Sequence, residues 1–181
     1  MGLAAGAAGV LFGISIGALA AFFATRNERF DRVSEWAFVA FAVAAILTML
    51  TVGPLLAGGV PATALTAIGV TGVAVIGVGE LAVALRLVDF RRVSAVITAG
   101  FLAFLAWVGG VSLLLIDSVQ LATLGWLGLA AIAVGTALVG LILATPGVLT
   151  GAAEPDPRLM TAFFVPMAGI VVWLIWLGTA L

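Results

Sequence analysis

"LAAGAAGVLFGISIGALAAFFAT", residues 3–25, carries no charged side chain and stops at Arg26. A run of that length reaches the ~20 apolar residues that a helix needs to cross a hydrocarbon core. Five more runs follow: Ser34–Leu56, Ala62–Leu85, Ser94–Ile116, Leu121–Ala144 and Met160–Leu181. The expected fold is all-α, a polytopic six-helix transmembrane bundle forming one domain over residues 1–181. Composition points the same way. Hydrophobic residues make up 65% of the chain and charged ones 8%, about a third of the charged share of a soluble domain. No basic residue precedes the first run and its arginines follow it, so the segment reads as a retained helix and not as a cleaved secretory signal.

All seven basic residues are arginines. Arg26, Arg29 and Arg32 follow the first run, Arg86, Arg91 and Arg92 follow the third, and Arg158 follows the fifth. The other connections, "AGGVPAT" and "IDSVQ", carry no basic residue. Cytoplasmic loops of membrane proteins are enriched in arginine and lysine. The expected topology is therefore a multi-pass cell-membrane protein with three cytoplasmic arginine loops and both termini outside.

The formal net charge of −1 argues against a nucleic-acid partner, which requires a basic surface. The partners expected instead are the lipid bilayer and, through helix packing, a second copy or a larger membrane complex. Cys, His, Lys and Tyr are all missing. Histidine-held haem, zinc sites, thiol redox chemistry and Schiff-base cofactors all need one of these side chains. No cofactor, no metal and no enzymatic activity are expected.

The polar connections also repeat. "RFDRVS" at 29–34 returns as "DFRRVS" at 89–94, and a shift of sixty also aligns Gly9 with Gly69, Ile16 with Ile76, Gly17 with Gly77 and Arg26 with Arg86. A shift of fifty-six lays Gly69, Gly72, Ile76 and Gly79 on Gly125, Gly128, Ile132 and Gly135. The pattern suggests three tandem helical hairpins, approximately 1–58, 59–118 and 119–181, with arginines holding each turn on one side of the membrane. Arginines three residues apart also suit anionic lipid headgroups. In the third hairpin the turn departs from this pattern, reading "TPGVLTGAAEPDPR" from Thr145 to Arg158. Its prolines predict an extended surface turn through Glu154–Pro157.

Hairpins with a glycine-rich first helix and a polar, arginine-bearing turn resemble the rotor-ring proteolipids of rotary ATPases, in which tandem triple hairpins occur. That resemblance implies an ion-binding carboxylate in the second helix of each hairpin, and helices two, four and six have none at mid-membrane. The order of helices also resembles the membrane sensor region that precedes some histidine kinases. Those regions use seven helices followed by signalling domains, whereas this chain reads as six.

Glycines cluster in the odd-numbered helices: Gly9, Gly13 and Gly17 in the first, Gly69, Gly72 and Gly79 in the third, Gly125, Gly128 and Gly135 in the fifth. Small residues at such spacing let helix backbones approach where lipid is as apolar as protein. The expected packing puts these three helices at the centre and the bulkier even-numbered helices outside, with Pro54 and Pro166 bending helices two and six. Gly9, Gly13 and Gly17 are equally placed to meet another subunit.

Few residues carry chemistry. Gly13-Ile14-Ser15-Ile16-Gly17 fits the G-x-S-x-G pattern of serine hydrolases, but the serine lies inside an apolar helix of a chain without histidine. Ser15 is expected to bond a backbone carbonyl one turn back. Glu80 is the one acid clearly inside the predicted bilayer, about 9 Å along the axis from Arg86. An acid at that depth is a candidate ion or proton site, with Thr136 and Ser15 as neutral ligands. The structural alternative is a carboxyl that fastens one helix to another. Glu35 reads as a first-turn acid favouring the helix dipole. Asp117 reads as a solvated loop acid, and Trp173 with Trp176 as an interfacial belt.

The function these features suggest is a non-catalytic accessory or scaffold subunit of a membrane assembly. The second expectation is a small ion- or proton-coupled transporter or channel using Glu80, and the third is a membrane sensor domain.

Overall fold

A computed structural model describes residues 2–55, 60–144 and 157–180, and these residues form six helices with no strand among them. They are α1 (Gly2–Thr25), α2 (Glu28–Val52), α3 (Val60–Ala84), α4 (Phe90–Ile116), α5 (Ala122–Ala144) and α6 (Pro157–Ala180). The first four include stretches long and apolar enough to cross a membrane: Gly2–Thr25, Glu28–Leu55, Ala62–Ala84 and Phe90–Ile116. In α5 and α6 the described apolar stretches are shorter, Ala122–Leu138 and Phe164–Ala180. The turn expected around Glu154 lies outside the described residues. Pro157 opens α6, where a missing N–H costs nothing.

Local chemistry sets the helix ends. Arg26 takes a left-handed conformation, φ 56°, and its N–H reaches the Phe22 carbonyl at 2.7 Å. That single bond closes α1 as an αL cap. Arg86 does the same at the end of α3, φ 57°. Here the Leu87 N–H bonds the Ala82 carbonyl and the Arg86 N–H bonds Val83, the paired bonds of a Schellman motif. The next helix then starts at once. The Asn27 side chain accepts from the Arg29 N–H at 3.0 Å, and Asp89 accepts from the Arg91 N–H at 2.9 Å. Both satisfy orphan donors at the N-termini of α2 and α4. The repeated arginine segments are therefore first turns of helices, and α2 and α4 begin earlier than the apolar runs at Ser34 and Ser94 suggest. Pro54 lies beyond α2, in a 3-10 turn over Gly53–Leu55, whereas Pro166 is inside α6.

Each helix packs against its neighbours in chain order, and α1 closes the ring against α6. No backbone contact joins α1, α3 and α5 to one another among the described residues. The expectation of a glycine-faced centre is thus overturned. Six helices in a ring leave a middle that must be filled, and aromatic side chains fill it. Phe12 of α1 meets Phe41 of α2 at 4.8 Å between ring centroids and Phe104 of α4 at 6.1 Å. Trp107 and Trp173 meet edge to face at 6.0 Å. Trp173 is fully buried, so it belongs to the core and not to an interfacial belt, while Trp176 is exposed.

The glycines instead bring ring neighbours together. A Cβ on Gly72 would lie 2.7 Å from the Gly100 carbonyl oxygen, and one on Gly100 would lie 2.6 Å from that of Gly72. Gly69 faces Trp107 and Gly79 faces Ile97, so the glycine face of α3 is its contact with α4. Gly125 and Gly128 pack on Ser112 of α4, Gly128 also on Trp173, and Gly135 on Pro166 and Met167 of α6. Gly9 and Gly13 pack on α6 through Ile175 and Val171, while Gly17 faces open space.

Candidate functional site

Four of the buried polar residues, Ser15, Ser34, Glu35 and Glu80, lie toward the end that carries the arginine turns, while Thr48 and Ser112 lie toward the other. Ser15 of α1 and Ser34 of α2 are buried and their hydroxyls lie 3.2 Å apart. The Ser15 hydroxyl donates to the Ser34 carbonyl at 3.1 Å. The carbonyl that Ser15 uses is therefore on the neighbouring helix and not one turn back on its own, because its side chain points into the α1–α2 contact.

Glu35 follows Ser34 on the same helix. Because α2 begins at Glu28, Glu35 is not a first-turn acid but lies in a later turn, facing inward and 6% exposed. Its Oε1 lies 3.6 Å from Nη1 of Arg86. Its Oε2 is buried without a hydrogen-bond partner. Arg86 reaches the carboxylate from the α3 cap while its side chain stays 57% exposed.

Glu80 is 7% exposed and points from α3 into the same end of the bundle. It lies within Coulombic range of both Glu35 and Asp31. Among the described residues no group of three or more His, Cys, Asp or Glu side chains is arranged to hold a metal ion.

In front of these residues is a cavity of about 500 Å³ lined by Phe22, Arg26, Glu28, Asp31, Arg32 and Arg86. Arg86 is shared between the cavity wall and the buried Glu35. Behind the buried acids stands the aromatic plug of Phe12, Phe38, Phe41, Phe101 and Phe104. The site therefore has a polar mouth and an apolar floor.

Of the three residues nominated from sequence, Glu80 and Ser15 lie at this end of the bundle. Thr136 does not join them: it is exposed on α5, which among the described residues makes no backbone contact with α3. Of the arginines, Arg26, Arg32 and Arg86 line the cavity, while Arg29, Arg91 and Arg92 are exposed. Glu35 is the residue the sequence reading placed wrongly. The signal was Asn27, an N-cap residue followed by acids, which moves the helix start back and turns Glu35 inward.

Comparison with known proteins returns no match: no family model, no curated protein and no solved structure aligns with the chain.

Proposed function

We propose that this chain is a multi-pass protein of the cell membrane that binds a proton or a monovalent cation at Glu80 and Glu35, as a small non-catalytic transporter does. In this reading all six helices cross the bilayer, as three hairpins, and the arginine turns face the cytoplasm. The observation that carries it is the burial of two acids, Glu35 and Glu80, with one guanidinium, that of Arg86, in contact with Glu35. An uncompensated charge away from water is costly, so one proton or one cation completes the site. Arg86, which touches Glu35 and lines the cavity, links the buried acid to the arginine end. The aromatic plug blocks passage beyond it, which suits a carrier that changes conformation better than an open channel.

The test is infrared difference spectroscopy of the reconstituted protein, with Glu80→Gln to assign the carboxyl band. The expected result is a Glu80 band that responds both to pH and to an added monovalent cation. A band indifferent to both removes the reading.

A second reading, an accessory or scaffold subunit in a homo-oligomer or larger membrane complex, is favoured by one feature of α1. Gly6 and Gly17 have open space above them, beside exposed Val10 and Ile14. Most other glycines are occupied within the chain itself, which leaves this surface narrow. Crosslinking from Gly17→Cys between two copies tests it.

A further inference from the structure

The reading of Glu35 and Glu80 as a cation site leaves the class of cation open, and the geometry around Arg86 narrows it. Arg86 is held at one end by its left-handed cap, φ 57°, and touches Glu35 only through Oε1, at 3.6 Å. A guanidinium free to align donates two parallel hydrogen bonds to a carboxylate at ~2.7–2.9 Å. The tethered one makes a single long contact and leaves Oε2, deep in the bundle, without a partner. The carboxylate is therefore incompletely occupied by a group that is mostly exposed and lines the cavity.

We infer that Arg86 is a tethered placeholder, and that the site takes a small organic cation with several N–H donors, a guanidinium or primary ammonium, which displaces Arg86 and engages both oxygens of Glu35. This rests on the cation-site reading above. Hard divalent ions need six or more oxygen ligands. No group of three or more acidic side chains among the described residues is arranged to supply them, and the neighbouring Ser15 and Ser34 hydroxyls are already bonded to each other. Phe22 in the cavity wall offers a face for a planar cation.

The experiment is titration calorimetry of the full chain in nanodiscs with methylguanidinium, sodium and tetramethylammonium chlorides, on wild type, Arg86→Ala, Arg86→Lys and Glu35→Gln. Methylguanidinium is expected to bind wild type, and tetramethylammonium, which has no N–H donor, is not. A tethered competitor acts at an effective concentration near the millimolar range. Its removal in Arg86→Ala should tighten methylguanidinium binding roughly tenfold or more. Arg86→Lys, which keeps a charged competitor, should stay near wild type, and Glu35→Gln should abolish binding. Equal binding of tetramethylammonium, or no gain in a folded Arg86→Ala, overturns the inference. Should Arg86→Ala fail to fold, the preference in wild type and the loss in Glu35→Gln decide alone. If sodium or protons act on Glu80 but methylguanidinium binds nowhere, the inference fails and the cation site stands. If none of these acts, both fail.

Discussion

Arg26 and Arg86, sixty positions apart, share one left-handed backbone conformation at the ends of α1 and α3, φ 56° and 57°. Only Arg86 adds an ion pair, to buried Glu35. The two positions therefore separate backbone strain from charge. Arg26→Gly removes the steric cost of φ > 0 and is expected to leave stability unchanged or raise it by up to about 1 kcal/mol. Arg86→Gly removes the same strain but strands Glu35, with an expected net loss of about 1–2 kcal/mol. The loss stays below the range for a fully buried pair because the guanidinium is half exposed and solvent-screened. Equilibrium unfolding in mixed micelles measures both.

The α3–α4 crossing depends on Gly72 and Gly100, whose backbones touch. Gly72→Ala is expected to cost about 1–3 kcal/mol, because the added methyl must push a carbonyl and Ala103 aside. Gly17→Ala, facing open space, should change nothing measurable. Thermal midpoints of the two variants in one detergent make the comparison.

Phe12 touches four other phenylalanines and is fully buried. Phe12→Ala should destabilise by about 2–4 kcal/mol through the cavity left behind. It should also let water reach the buried acids from the far side. Hydrogen–deuterium exchange of the backbone near Ser34 and Glu35, faster in Phe12→Ala than in wild type, checks the second effect.

The chain has no cysteine, so single cysteines report topology without a background. At Ser118, on the connection between α4 and α5, a cysteine is expected to react with an impermeant maleimide in intact cells. One at Arg91 should react only after permeabilisation. The reverse pattern would invert the proposed orientation.

The helices were legible because uninterrupted apolar length is a property of the sequence itself, as residues 3–25 demonstrate. The helix starts were less so, since "RFDRVS" looks like a loop to hydropathy and becomes helical through the cap at Asn27. The glycine face of α3 could be read as a contact surface from its spacing. Its partner could not, because spacing says which residues share a face and nothing about which helix meets it. Trp173 shows the same limit: a tryptophan near a helix end suits an interface, and only the ring arrangement reveals its partner, Trp107. Glu80 was visible as an isolated acid in an apolar run. Its sharing one end of the bundle with Glu35 is tertiary, made by the packing of α2 against α3.

The closed ring also constrains the order of assembly. Five of its six seams join helices adjacent in the chain and can form as each pair emerges, at little loop-closure cost. The α1–α6 seam, where Gly178 meets Gly6 and Gly2, must wait for the last helix. Until then the Gly9 and Gly13 face of α1 has no cover from Val171 and Ile175 of α6, and the intermediate is an open arc. Damage to Gly178 should therefore act late, trapping an arc that has not closed, whereas damage to Gly72 should act early, before the arc itself is built.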